Sequence, residues 1–350
     1  MKKIKKLSLV FACLIFVGVT NAFAGTDAAA FLKKSVGVKA IGMGGAYTSL
    51  ADDTSAIYWN PAGLAQIQDY YSVYAMGGTG ASDEYPGLKD VVPTHQFFAV
   101  SIPLQKFTDV LGKTVIGIGY ISSKMDNIQH TIVHPNGTVE RKGTISDTDN
   151  AYYLTAGIPL WQSATSLYVG ASLKYITKNM SEVGVSEGGL DIDAGVIYSI
   201  DAAKYGLINF GAIFQKGVSM GDDSAPMTTK VGVSDKVTFI DKLQLTGAVD
   251  LVQRQDEPLG GNLGLEFGVI EVLVSDAFSI NGIYLRGGVE GYALENRYNI
   301  TSDYNETVSY NFGLGFDFGI LNAYFLQLDV AICSGNIFDQ TTKFALNFFF

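Results

Sequence analysis

One segment near the end of the chain constrains the fold more than any other: Tyr310-Asn311-Phe312-Gly313-Leu314-Gly315-Phe316-Asp317-Phe318. Its even positions are large and apolar, its odd ones small or polar. Strand side chains alternate between two faces, so this reads as a strand greasy on one face and polar on the other. The pattern recurs. Leu167, Val169, Ala171 and Leu173 oppose Tyr168, Gly170, Ser172 and Lys174, and Ile192, Ala194, Val196 and Tyr198 oppose Asp191, Asp193 and Gly195. Leu263, Leu265, Phe267 and Val269 oppose Asn262, Gly264, Glu266 and Gly268, while Tyr324, Leu326, Leu328, Val330 and Ile332 oppose Gln327 and Asp329. Charge on the inner face is costly in a packed soluble core. In a hydrated lumen it stays solvated, so the predicted fold is an all-β transmembrane antiparallel barrel.

Composition agrees. There are 40 Gly, 19 Tyr and 21 Phe against 8 Pro, with a mean hydropathy of +0.20. Beyond the first 24 residues no run is long and apolar enough for a transmembrane helix, which needs about 18–20 such residues. From residue 69 onward the chain divides into about 14 strands, an even number that returns both ends to one side of the membrane. They are expected near 70–77, 94–103, 114–124, 149–160, 166–178, 189–199, 206–216, 227–234, 243–253, 261–269, 278–290, 307–318, 322–333 and 341–350. The longest gaps, 78–93, 125–148 and 291–306, read as outer loops, and Trp161-Gln162-Ser163-Ala164 as a tight turn. In the last strand Phe344, Leu346, Phe348 and Phe350 alternate with Lys343, Ala345 and Asn347. That pattern resembles the C-terminal signal read by the outer-membrane barrel assembly machinery, and the greasy faces imply outer-membrane lipid around the barrel.

Residues 1–24 read as a Sec signal peptide: Lys2, Lys3, Lys5 and Lys6, a short apolar core from Leu7 to Val19, then Ala22-Phe23-Ala24 at the cleavage site. Cys13 sits inside the apolar run, leaving Cys333 alone in the mature chain and no internal disulfide. The net charge of −10 becomes more acidic once the signal is removed, which argues against nucleic acid as a partner.

Residues 25–68 do not alternate. Gly42, Gly44 and Gly45 lack the preceding strand and βαβ unit of a dinucleotide loop and read instead as points of close backbone packing inside a barrel. Downstream lie Asp52-Asp53 and Tyr58-Trp59-Asn60-Pro61-Ala62-Gly63. This stretch closely resembles the start of the PorV/PorQ family of outer-membrane proteins, within the broader FadL-like group. Gly189-Leu190-Asp191-Ile192-Asp193-Ala194-Gly195, Leu285-Arg286-Gly287-Gly288 and Asp329 continue the resemblance across the mature chain. It implies a 14-stranded barrel whose N-terminal segment folds inward as a hatch, with Asn60, Pro61, Ala62 and Gly63 as the hatch motif. Physically, Pro61 ends any helix begun at 52–59. Asn60 can satisfy local backbone groups, and Asp52 and Asp53 suit the positive end of such a helix.

No catalytic constellation is present. His95 lies near a strand start, and His130 and His134 lie in the 125–148 gap, where Pro135-Asn136-Gly137 makes a turn and not a zinc-binding helix. Asp83, Glu84, Asp222, Asp223, Asp256 and Glu257 read as solvated loop acids without EF-hand spacing, so neither a metal nor a cofactor is expected. Two functions fit the resemblance. One is passive uptake of small hydrophobic compounds past the hatch. The other is a PorV/PorQ-type role in type IX secretion, in which the barrel binds or shuttles secreted protein cargo.

Overall fold

A computed structural model describes residues 29–350 except 81–91, 109–111, 181–183, 218, 221–222, 226, 256, 274, 276, 294–307, 322 and 337–338. The expected signal peptide, the acids Asp83, Glu84, Asp222 and Asp256, and most of the gaps 78–93 and 291–306 lie outside these residues.

The strands are β1 (Ser72–Gly80), β2 (Val92–Pro103), β3 (Val115–Val133), β4 (Val139–Gln162), β5 (Thr165–Met180), β6 (Val185–Asp201), β7 (Leu207–Gln215), β8 (Ser219–Met220), β9 (Asp223–Ser224), β10 (Thr228–Ile240), β11 (Leu243–Arg254), β12 (Gly260–Leu273), β13 (Phe278–Ala293), β14 (Ser309–Ile320), β15 (Tyr324–Asn336) and β16 (Asp339–Phe349). All but the short β8–β9 hairpin join one closed barrel of 14 strands. Every pairing is antiparallel, and β1 closes on β16 from Ser72 opposite Phe349 to Gly80 opposite Thr341. Beyond the strands, Tyr71 and Phe350 exchange backbone hydrogen bonds at 3.0 Å. No helix among the described residues is long and apolar enough to cross a membrane.

The alternation read from sequence sets the two faces. On the outer one, Leu190 is 60%, Leu265 61% and Phe312 63% exposed; their neighbours Asp191, Glu266 and Asn311 are all buried. Closing the sheet leaves no free edge to aggregate. At one end of the barrel, the turn end, the connections include tight ones, as at 163–164 and 241–242. Both the chain terminus and the entry to β1 lie there. The opposite, loop end carries the longer connections.

Two expectations need correction. Residues 125–148 form a hairpin and not a loop: β3 and β4 stay paired out to Val133 opposite Val139, and only 134–138 turn. Ile128, Thr131 and Val133, opposite Ile145, Arg141 and Val139, sustain strand pairing beyond the barrel wall. Secondly, the inward charges are not left to water. Several are buried and paired with one another, as Lys174 is with Asp191 and Asp193 and Arg286 with Glu266 and Asp329, because residues 29–68 fill the lumen.

Candidate functional site

The hatch is a series of short turns: a 3-10 helix (Ala30–Lys33), an α-helix (Val38–Gly42), a second α-helix (Ala56–Trp59) and a 3-10 helix (Pro61–Ile67). None would hold alone, since isolated helices of this length are marginal in water. Burial holds them. Val36, Met43, Tyr47, Ile57, Trp59 and Leu64 are fully buried inside the barrel. Each such side chain contributes about 1.5–3 kcal/mol relative to exposure.

The hatch motif works as a cap and a joint. The Ala56–Trp59 helix stops at Asn60, whose backbone is extended, and Pro61 opens the following 3-10 helix. The Asn60 carboxamide oxygen accepts from the Ala62 N–H at 3.2 Å. Its Nδ2 donates to Thr48 O at 2.8 Å and to Val196 O on β6 at 3.2 Å. Ala62 and Gly63 are buried beside it. Gly42, Gly44 and Gly45 turn the chain against the wall. Gly44 has φ +61°, and a Cβ there would meet the Val289 nitrogen at 2.3 Å; across the contact, a Cβ on Gly288 would meet the Gly44 nitrogen at 2.2 Å. Backbone lies on backbone, and only glycine fits on both sides.

Of the acidic pair, Asp53 accepts from the Ser55 N–H at 2.8 Å, at the entrance of the Ala56–Trp59 helix. Asp52 points elsewhere. It pairs with Lys39 at 2.8 Å and with Lys236 of β10 at 3.1 Å, and accepts from the Tyr47 hydroxyl at 2.7 Å.

Wall residues complete the attachment. Asp250 of β11 accepts from the Tyr47 N–H at 3.0 Å and the Thr48 N–H at 2.9 Å through one oxygen. Asn262 of β12 donates to Gly45 O at 3.1 Å, and the Tyr74 hydroxyl of β1 accepts from the Val38 N–H at 2.9 Å. Arg286 of β13 lies beneath Gly42, bonded to Glu266 at 2.6 Å and to Asp329. Lys174 holds Asp191 at 2.8 Å and Asp193 at 3.1 Å. Sequence reading placed Asp191, Asp193, Asn262, Glu266, Arg286 and Asp329 on strands without seeing that they pair or grip the hatch. Asp250 and Lys236 were missed. Their inward parity was the only available signal.

Two cavities flank the hatch. At the loop end, a cavity of about 40 Å³ is lined by Leu32, Tyr58, Tyr153, Lys174, Lys230 and Arg254 among others. The Lys230 ammonium sits 4.5 Å above the Trp59 ring and 5.5 Å from that of Tyr58, a favourable placement for a cation. At the rim, Glu257 binds Lys33 of the hatch at 2.6 Å and Arg254 at 3.1 Å. Burial pushes its carboxyl up, but the hydrogen bonds and charges of these two cations hold it below its ordinary value. At the turn end, a larger cavity of about 290 Å³ is lined by Ile67, Tyr70, Phe325 and Phe349 with Asp317 and Gln327. The terminal-strand residues Phe344, Leu346 and Phe350 are exposed on the outer face, with Phe348 half-buried there, apart from the hatch. His134 meets Glu140 at 2.9 Å in the protruding hairpin. Among the described residues there is no cluster of three metal-ligating side chains.

A closed 14-stranded barrel occluded from within by its own N-terminal segment defines the class: a plugged outer-membrane-type barrel. The chain has the FadL-like fold of this class. It resembles the toluene transporter TodX of Pseudomonas putida (TM-score 0.56, 12% identity, 90% of this chain and 97% of that one). It also resembles the toluene transporter TbuX of Ralstonia pickettii (TM-score 0.54, 11% identity, 90% and 97%). A FadL homologue of Pseudomonas aeruginosa is similar too (TM-score 0.53, 8% identity, 95% and 99%). No family model and no curated protein sequence matches the chain.

Proposed function

We propose that this protein is a passive channel for small hydrophobic compounds in the outer membrane of a Gram-negative-type cell. On this reading it is exported through its Sec signal, inserted by the barrel assembly machinery, and oriented with its turn end in the periplasm. The observation that carries the reading is the hatch, which fills the lumen yet leaves a cavity at each end, the turn-end one of about 290 Å³ lined by Ile67, Tyr70, Phe318, Phe325 and Phe349. A filled lumen opposes the diffusion of hydrated solutes. Apolar solutes lose little by leaving water for such cavities, since their burial is favourable by about 25 cal/mol per Å². The likeness to two toluene transporters supports the same reading. Passage requires that the hatch shift or that the solute leave beside it.

Mass spectrometry of material co-purifying with the native detergent-extracted protein tests the proposal. A stoichiometric apolar small molecule is the expected finding. A bound secreted protein or a secretion-machine subunit, with no small molecule, would replace channel activity with the type IX secretion role.

A further inference from the structure

On the wall opposite the Lys230 cavity, basic side chains gather without an equal number of acids. His95 of β2 is 3% exposed, and neither ring nitrogen has a side-chain hydrogen-bond partner. The Lys34 main chain lies alongside the ring, and the charged groups it faces are the ammoniums of Lys34 and Lys343. Lys343 of β16 is itself buried at 9% exposure, and among the described residues it faces His95, Lys34 and the Cys333 thiol with no carboxylate beside it. The Lys34 ammonium lies 3.4 Å from the Ser123 hydroxyl of β3; its own carboxylate neighbours are Asp147 and Asp149 of β4.

Strand register explains the convergence. Gly78 pairs with Lys343, and lies between the Met76–Phe97 and Thr79–Thr94 pairs, opposite His95. His95 in turn pairs with Ser123, and Ser123 with Asp149. Ser123, His95, Gly78 and Lys343 thus form one row across four neighbouring strands. Gly78 has no side chain, and that of Lys343 lies over it: a Cβ there would meet the Lys343 Cδ at 2.4 Å. Lys34 comes down on the row from the hatch. Burying the Lys343 ammonium without a carboxylate beside it is unfavourable, and a buried imidazole without a side-chain partner adds to the cost.

We propose that Lys34, His95, Ser123 and Lys343 form a binding site for a phosphate-type oxyanion in the lumen, above the hatch. Donors arrive from the hatch, from β2 and β3, and from β16. That spread suits a tetrahedral anion, with acceptors in every direction, better than a planar carboxylate. Two ammonium groups match a dianion, and charge-assisted hydrogen bonds from them are among the stronger kind. The exposed Lys34 side chain marks the approach. The ligand is either free inorganic phosphate or the phosphate group of an amphiphile. The site stands whether or not hydrophobic compounds pass the hatch.

The test uses the full chain folded in dodecyl maltoside without phosphate, its folding checked by the shift in gel mobility on boiling. Inorganic phosphate is titrated calorimetrically, and dodecyl phosphate is then presented in mixed micelles. Saturable binding of one ligand per barrel is expected, weakened about tenfold or more in K343Q and H95F. K113Q, which changes an exposed lysine at the turn end, leaves it unaltered. Binding of inorganic phosphate identifies a free-anion site, and binding of dodecyl phosphate alone identifies a headgroup site. Should the two wall variants lose the gel shift, K34Q at the exposed position reports in their place and weakens binding. Absence of binding by both probes, or affinities in folded variants equal to the parent's, overturns the proposal.

Discussion

At the scale of single residues, the hatch is held by groups that are polar, inward and few. Asp250 receives two consecutive hatch amides on one oxygen. Replacing it with Leu leaves both N–H groups buried and unpaired, at about 1–3 kcal/mol each. Hydrogen exchange of the 46–50 region is therefore expected to accelerate at least tenfold in D250L, while exchange in the strands stays unchanged. Arg286 is a different case, since it neutralises Glu266 and Asp329 together. R286M strands two buried carboxylates, and breaking a buried pair in this way costs about 3–5 kcal/mol. A clear fall in the unfolding temperature is expected, and an unchanged value would show that water reaches both acids. The double change E266Q/D329N made alongside R286M is expected to recover part of the loss, because it removes the uncompensated charge.

Among elements, the strands were legible from their alternation, whereas the hatch followed only from the family resemblance and its turns were not legible. Alternation in 310–318 or 261–269 is dictated by one face meeting lipid and the other the interior, and every strand read from it is present in the barrel. The protruding β3–β4 hairpin escaped notice because both its faces are wet: Val133 and Val139 are exposed, and no greasy face advertises the strand. Its exposure also gives an expectation. Shortening the hairpin by joining 126 to 147 through a two-residue turn should leave the unfolding temperature unaltered. A large drop would mean that the hairpin packs against another part of the barrel. The hatch has no period to read, because its short turns are shaped by the surrounding wall and not by their own propensity. Asn60 and Pro61 could be singled out in sequence, and their capping geometry follows from residue type. Partners 136 or more residues away, such as Val196 or Asp250, could not be inferred from one sequence, since local chemistry carries no trace of which strand faces which hatch residue.

For the whole molecule, barrel and hatch form one folded unit in which much of the inward charge is matched internally. The sequence showed that charge but suggested a wet lumen, because the strands alone do not reveal that about forty residues of chain fold back between them. A filled interior makes a sharp distinction between solutes. The most direct measurement compares flux into proteoliposomes of labelled toluene and of arabinose, for the intact protein and for a form lacking residues 29–68. Intact protein is expected to accelerate toluene entry several-fold over protein-free vesicles while arabinose stays excluded, and removal of the hatch to admit arabinose as well. Rapid arabinose entry through the intact barrel, or toluene entry no faster than through lipid alone, would contradict a hatch-filled channel for hydrophobic compounds.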